Sequence, residues 1–370
     1  AVTGVARGEI YYLLLTERMR KAYRAFLGYH DAYLEVDTFP FRPGDVAKGI
    51  YVGKRKGLMV FLPVKTKNVE GALVAMDVKR GYVLALVGGR DFKNSPFNRC
   101  FSSNIQPGSA FKPFVYLAAL KKGYTPDSVV LDLPKTYRGG LQGSWTPRNY
   151  DGQYDGEISL KDALAFSKNA ATVRLLEDVG IEGLLRTVRE VGLEANVPRN
   201  LAAALGGLNL SLFELTKGFT VFASGGLKVK PVFVRKIVDQ KGRVIEENWP
   251  SKERVIDERI AVMMDVLLRA SVQYGTAKAA SVLGATISGK TGTTDGYCDA
   301  LFVGYSKEIC VGVWVGFDKR QSLGEKESGA RVALPIWIDF MAFALKRYPP
   351  TEAPYDDSLT DAEPFKDFVY

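Results

Sequence analysis

Two apolar hairpins stand near opposite ends of the chain, "GALVAMDVKRGYVLALVGG" from residue 71 and "DALFVGYSKEICVGVWVGF" from residue 299. Each has two runs rich in Val, Leu and aromatic residues around a short polar turn, the pattern of paired antiparallel strands. Most of the sequence lies between them, and much of it has helical spacing. Strands from both ends must therefore meet. This predicts an α/β (α+β) fold with a central antiparallel sheet of about five strands and helices before, between and after it.

The helical segments carry their own start signals. Ser159 caps "LKDALAFSKNAATVRLLEDVG", and Ser211 with Glu214 caps "LFELTKGFTVFASGG". "ERIAVMMDVLLRASV" and "LPIWIDFMAFALKRY" complete the set. Near the start, Thr16 is placed to cap a helix "ERMRKAYRAFL" that stops at Gly28, and residues from about 34 to 67 switch to strand patterns, "DVAKGIYV" and "LMVFLPV" around "GKRKG". The expected division is 1–69 for this helix and small β module, 70–349 for the main domain, and 350–370 for an acidic, proline-interrupted tail.

Composition excludes several chemistries. The 370 residues carry a net charge of +9, which favours an acidic partner, yet there is no zinc-finger spacing, RNP pattern or long basic arm, and nucleic acid is set aside. The cysteines Cys100, Cys298 and Cys310 have no C-x-x-C spacing, so no metal site is expected and at most one disulfide is possible. Cys310, in an apolar strand, is expected in the core. The single histidine, His30, sits in "LGYHDAY" with no nucleophile motif nearby, so any nucleophilic chemistry must find another base. No apolar run approaches the ~20 residues that cross a bilayer, and "IYYLLL" is too short for a signal segment.

That other base has a candidate in "QPGSAFKPFVYLAALKKG", residues 106–123. Three residues apart at a helix start, Ser109 and Lys112 project from one face, a nucleophile beside a possible proton acceptor. Pro113 is tolerated in the first turn, and Gly123 reads as the stop. Two further stretches join it: "FSKNAA" with Ser167 and Asn169, and "SGKTGTTDG" with Lys290, Thr291, Gly292 and Thr293 at a strand end. Each is weak alone. In the order Ser-x-x-Lys, Ser-x-Asn, Lys-Thr-Gly, with the second and third beginning 58 and 181 residues after Ser109, they make a set known from β-lactamases and penicillin-binding proteins. The middle residue of the second motif, Lys168, is expected to point away from the cleft.

With "FNRC", "SWTPRNYDG" and "VGVWVGFD" added, the sequence from about 70 to 345 resembles the transpeptidase domain of class A penicillin-binding proteins, the bifunctional peptidoglycan synthases. The N-terminal part resembles their linker region, and no glycosyltransferase motif precedes residue 70. The resemblance implies a β-lactamase-like fold with an all-helical subdomain between the motifs. It implies a D,D-transpeptidase that cleaves stem peptides ending in D-Ala-D-Ala and is acylated by β-lactams, at the outer face of a bacterial inner membrane, with the anchor and glycosyltransferase domain belonging to a longer parent chain. No cofactor is implied.

It also implies roles. Ser109 is the acylated nucleophile. Lys112 is its base, kept neutral by burial and by the second cation, Lys290. Ser167 relays a proton to the leaving amine with Lys290 polarising it, while Asn169 orients Lys112 and holds the substrate amide. The oxyanion meets the backbone N–H groups of Ser109 and Thr293. Thr291 and Thr293, with Thr294 beside them, grip the substrate carboxylate, and Gly292 lets the strand approach the ligand. Trp145, Arg148, Asn149 and Tyr150 line the cleft. A β-lactamase would need a deacylating glutamate, and no Glu-x-x-Leu-Asn lies between the second and third motifs. A D,D-carboxypeptidase or a penicillin sensor remains open.

Overall fold

The computed structural model describes residues 69–102, 105–138 and 143–349, together with the strand backbones 2–6, 9–13, 49–55 and 58–63. The expected helix at 17–27, His30 and the tail from 350 lie outside the described residues. The chain divides into two compact units, Ala1–Asn68 and Val69–Tyr370. In the first, Val2–Ala6 pairs with Glu9–Leu13 and Gly49–Arg55 with Leu58–Pro63, both antiparallel.

The second unit is built on one antiparallel sheet of five strands: β1 (Glu70–Asp77), β2 (Val83–Val87), β3 (Ser288–Thr293), β4 (Asp299–Tyr305) and β5 (Ile309–Gly316), in the spatial order β3-β4-β5-β1-β2. The two apolar hairpins meet as expected, for β5 runs against β1 with Ile309 opposite Asp77 and Gly316 opposite Glu70. In the β1–β2 turn, Asp77 Oδ1 accepts the N–H groups of Lys79 and Arg80. β4 and β5 are buried along their whole length because helices cover both faces.

Among the described residues, seven helices follow in chain order: α1 (Lys112–Lys121), α2 (Leu160–Ala165), α3 (Asn169–Val179), α4 (Ile181–Val191), α5 (Leu212–Ala223), α6 (Glu258–Gln273) and α7 (Gly329–Arg347). The face of the sheet that carries α5 shares its core with α1, α3 and α6, through Phe114, Phe219, Phe222 and Leu268 among others. The opposite face is closed by α7, whose Trp337 stacks edge-on against Phe302 and donates to the Val311 carbonyl at 2.9 Å. Cys310 is in the core as expected, and all three cysteines are free.

Two expectations about the helical region need correction. It is not wholly helical: Val129–Asp132 pairs with Gly156–Ser159, because "VVLD" alternates between exposed and buried positions, and Tyr137–Arg138 pairs with Ser144–Trp145. The stretch after Ser159 is also two helices rather than one. Helix α2 ends in a Schellman arrangement, with Lys168 N–H donating to Ala163 C=O and Ser167 N–H to Leu164 C=O. That closure puts its turning residue at positive φ, a position glycine usually fills; here it is Ser167, at φ 59°.

Candidate active site

Helix α1 is apolar all round, "KPFVYLAAL", and a helix with no polar stripe is forced into the interior. Its first residue is Lys112, so the ammonium position goes inside with it, and the side chain is completely buried. Just ahead lies a 3₁₀ turn, Gly108–Phe111, in which Lys112 N–H donates to Ser109 C=O. Ser109 thus sits one tight turn above Lys112, half-buried, on the wall of a cavity of about 780 Å³.

The break between α2 and α3 brings the second motif to the same place. Lys112 Nζ donates to the Ser167 carbonyl at 2.6 Å and to Asn169 Oδ1 at 2.6 Å, and lies 3.3 Å from Ser167 Oγ. Asn169 is fixed in turn by its Nδ2, which donates to Arg148 C=O at 2.7 Å. From β3, the fully buried Lys290 donates to Ser167 Oγ at 2.9 Å and reaches the Thr291 carbonyl and hydroxyl at 3.2 and 3.3 Å. The Ser167 hydroxyl therefore stands between two lysine nitrogens. Among the described residues, no carboxylate lies within ion-pair distance of either.

Burial without a counter-ion penalises the charged form of both. It holds Lys112 well below the usual lysine range, with the nearby Lys290 adding to the effect and Asp132 opposing it. Burial alone lowers Lys290 to about 7.

β3 is an edge strand, and its register decides which backbone groups are free. Thr294 N–H donates to Asp299 C=O, so the antiparallel alternation turns the N–H groups of Thr293 and Thr291 away from β4, to the open edge. That edge lies along the nucleophile turn. A Cβ on Gly108, which has φ +52°, would meet Thr293 O at 2.4 Å, and one on Gly292 would meet Pro107 O at 2.5 Å. Gly292 therefore makes room for the Ser109 turn, a neighbour that sequence spacing did not foretell. Gly206, at φ +72°, packs on the far side of the same turn, and sequence spacing gave no sign of it.

The remaining expected residues divide. Thr291 and Thr293 line the cavity; the Thr291 hydroxyl pairs with that of Thr276 at 2.8 Å, and Thr293 Oγ1 accepts Gly329 N–H at the start of α7. Thr294 borders the cavity but commits its hydroxyl to Asp299, accepting that residue's N–H at 2.9 Å. Arg148 and Tyr150 line it too, and Tyr150 meets Tyr297 hydroxyl to hydroxyl at 3.0 Å. Asn149 lines the cavity as well, although it is largely buried and its amide is fully used. Its Oδ1 accepts the N–H groups of Asn169 and Ala170, capping α3 from outside, while Nδ2 donates to both Asp132 oxygens and to Gln153 C=O. Trp145 is not among the cavity residues, because its two-residue strand turns it onto Tyr137, ring centres 5.9 Å apart.

Lys168 departs from expectation. Instead of pointing away from the cleft it lines the cavity wall, 4% exposed, with Nζ 2.7 Å from Asp155, 3.0 Å from Asp151 and 3.7 Å from Asp132. No metal-ligating cluster of three or more His, Cys, Asp or Glu side chains occurs among the described residues.

A family profile described as the penicillin binding protein transpeptidase domain matches residues 71–323. Penicillin-binding protein 1A of Aquifex aeolicus (strain VF5) is 45% identical over 305 residues, covering 82% of this chain and 42% of that protein. The protein of the same name from Neisseria gonorrhoeae is 42% identical over 292 residues, 76% of this chain and 37% of that protein. The chain thus spans about 40% of the length of these relatives. Among solved structures, penicillin-binding protein 1A from Haemophilus influenzae aligns with a TM-score of 0.74 at 28% identity, over 82% of this chain and 51% of that one. The PonA1 protein of Mycobacterium tuberculosis, solved in complex with penicillin V, shares the fold at a TM-score of 0.68 and 23% identity, over 79% of this chain and 81% of that one.

Proposed function

The chain belongs to the penicillin-binding protein transpeptidase family, and from that premise we propose that it is a D,D-transpeptidase that joins peptidoglycan stem peptides through an acyl-enzyme on Ser109. The observation that carries this reading is the Ser167 hydroxyl held between Lys112 and Lys290, next to the turn that bears Ser109.

Each lysine has three acceptors in reach: Lys112 has Ser167 O and Asn169 Oδ1 at 2.6 Å and Ser167 Oγ at 3.3 Å, and Lys290 has Ser167 Oγ at 2.9 Å and the Thr291 carbonyl and hydroxyl at 3.2 and 3.3 Å. Position separates them. Lys112 lies one turn from Ser109, and the neighbouring Lys290 disfavours its ammonium, so we assign Lys112 as the base and Lys290 as the charge.

In acylation, the Ser109 proton passes to Lys112 as Oγ bonds to the carbonyl carbon of the penultimate D-Ala. The oxyanion is received by the N–H groups of Ser109 and Thr293, the latter free on the strand edge. The C–N bond then breaks, and the terminal D-Ala nitrogen takes a proton through the Ser167 hydroxyl, which is resupplied from Lys112. An amine of a second stem peptide attacks the ester and releases Ser109. Thr291 and Thr293 bind the substrate carboxylate, beside the positive charge of Lys290. A β-lactam follows the first half only, since its leaving nitrogen stays tethered. Among the described residues no histidine or glutamate lines the cavity, and two of its aspartates, Asp151 and Asp155, are held by Lys168, which leaves a deacylating water poorly served. We place this activity at the extracytoplasmic face of a bacterial inner membrane, with an anchor and a glycosyltransferase domain in the parent protein. Among the described residues no helix is long and apolar enough to cross a membrane.

Mass spectrometry after exposure to a penicillin tests the assignment. One adduct should appear, on the peptide containing Ser109, and persist far longer than it takes to form. An adduct retained at full yield in Ser109→Ala would sink the nucleophile assignment, and sustained turnover of a chromogenic cephalosporin would move a β-lactamase to the front.

A further inference from the structure

Resting on the acylation reading above, we propose that Lys168 is a positioning residue whose buried positive charge cancels that of Asp132, keeping Lys112 in the neutral form that accepts the Ser109 proton. The geometry supplies the argument. Asp132 is completely buried at the end of the strand Val129–Asp132, and its hydrogen bonds come from neutral groups: Asn149 Nδ2 to both oxygens at 2.8 Å and Asp155 N–H at 3.0 Å. Such donors stabilise a carboxylate but leave its charge in place. That charge acts on Lys112, where it favours the ammonium. Lys168, 3.7 Å away, is the cation within ion-pair distance of Asp132 among the described residues.

The other charged and titratable groups around Lys112 do not take over this task. Lys290 on β3 disfavours the Lys112 ammonium, and Tyr116 on α1 is tied to the Thr172 hydroxyl at 3.1 Å. Arg148, Asp151, Asp155 and Asp295 stand on the cavity wall. Asp151 and Asp155 are about half exposed, with side-chain exposures of 53% and 45%, so water screens them far better than it screens Asp132. They have a different effect. Burial works against the charge of Lys168, but hydrogen bonds to Asp155 and Asp151 outweigh it and raise Lys168 above the usual lysine range. The two aspartates therefore secure the Lys168 charge across the working pH range, and Lys168 spends part of it on Asp132.

An alternative role is mechanical, since Lys168 also ties the residue 149–155 loop to the start of α3. The two roles differ in their pH dependence. With Lys168 removed, the Asp132 charge reaches Lys112 undiminished, Lys112 holds its proton to higher pH, and the acidic limb of acylation moves upward. A lost tether lowers the rate by one factor at every pH. The second-order rate of labelling by a fluorescent penicillin should be measured on the 370-residue chain from pH 5 to 9. In Lys168→Met the deficit relative to the parent should grow as pH falls from 9 to 5, approaching about tenfold for each unit of displacement on the acidic limb. Lys168→Arg should return the limb to its place, and so should Asp132→Asn combined with Lys168→Met. Asp132→Asn alone should move the limb to lower pH, which keeps the test open if Lys168→Met fails to fold. A deficit in Lys168→Met that is constant across pH, or an unmoved limb in Asp132→Asn, overturns the proposal. A parent chain that takes no label at all would instead overturn the acylation reading, and this one with it.

Discussion

Lys290 has its charge only on the acid side of about pH 7, and the proposed chemistry needs that charge to polarise the Ser167 hydroxyl and to attract the substrate carboxylate. Its value is lowered, so raising the pH removes the ammonium well before a surface lysine would lose one. Acylation should therefore fall on the alkaline side of neutrality, as well as on the acidic side where Lys112 gains a proton. Lys290→Arg separates the two limbs, because a guanidinium stays charged throughout. Its labelling rate should be lower at the optimum but flat from pH 7 to 9, where the parent declines; a decline of equal steepness in the variant would refute the role given to Lys290. At this scale the sequence was informative about motif residues, since Ser-x-x-Lys, Ser-x-Asn and Lys-Thr-Gly each converge on one hydroxyl. It was uninformative about Lys168 and Trp145. Their roles depend on what a loop brings beside them, Asp132 and Asp155 for Lys168 or Tyr137 for Trp145, and spacing along the chain does not encode that.

Between α2 and α3, helix geometry and chemistry compete for one residue. Ser167 occupies the left-handed position of the Schellman closure, where a side chain other than glycine costs about 1–2 kcal/mol. The same conformation turns its carbonyl and hydroxyl toward Lys112. Ser167→Gly and Ser167→Ala both remove the hydroxyl, and only the first relieves the backbone. Both should lose acylation by about 10²–10⁴-fold. In denaturant unfolding the glycine variant should be the more stable of the two by about 1 kcal/mol. Equal stabilities would show that Ser167 is not strained. The break itself was not legible in the sequence, because "AFSKNAA" contains no glycine or proline and its periodicity runs on. The stop comes from outside the segment, where Asn149 caps the new helix at Asn169 and Ala170. Four strands of the sheet, β1, β2, β4 and β5, were easier to read because they are long apolar runs, whereas β3, "SGKTGT", has no apolar side chain and was legible only through its Lys-Thr-Gly motif.

For the molecule as a whole, two buried lysines without counter-ions make stability depend on pH. An unfolded chain binds their protons up to the ordinary lysine range, whereas the folded Lys290 releases its proton near 7 and Lys112 well below the ordinary lysine range. In the window between, the unfolded state holds more protons, so stability rises with pH, by roughly 1.4 kcal/mol per unit for each lysine fully engaged. Above about pH 10 the trend reverses, because buried Tyr116 keeps its proton in the fold longer than in the unfolded chain. Lys290→Met should accordingly be more stable than the parent in denaturant unfolding at pH 7, and the gain should shrink toward pH 10; a gain independent of pH would argue for better packing alone. The sheet order has a consequence of another kind. β5, the middle strand, is the last of the five to be synthesised, and both its neighbours, β4 and β1, depend on it. A nascent chain emerging from the ribosome therefore holds Glu70–Asp77 with one edge bare until residues 309–316 have left the exit tunnel. A chain truncated before residue 309 is left with two separate ladders, β3–β4 and β1–β2, and no single sheet to join the two sides of the domain.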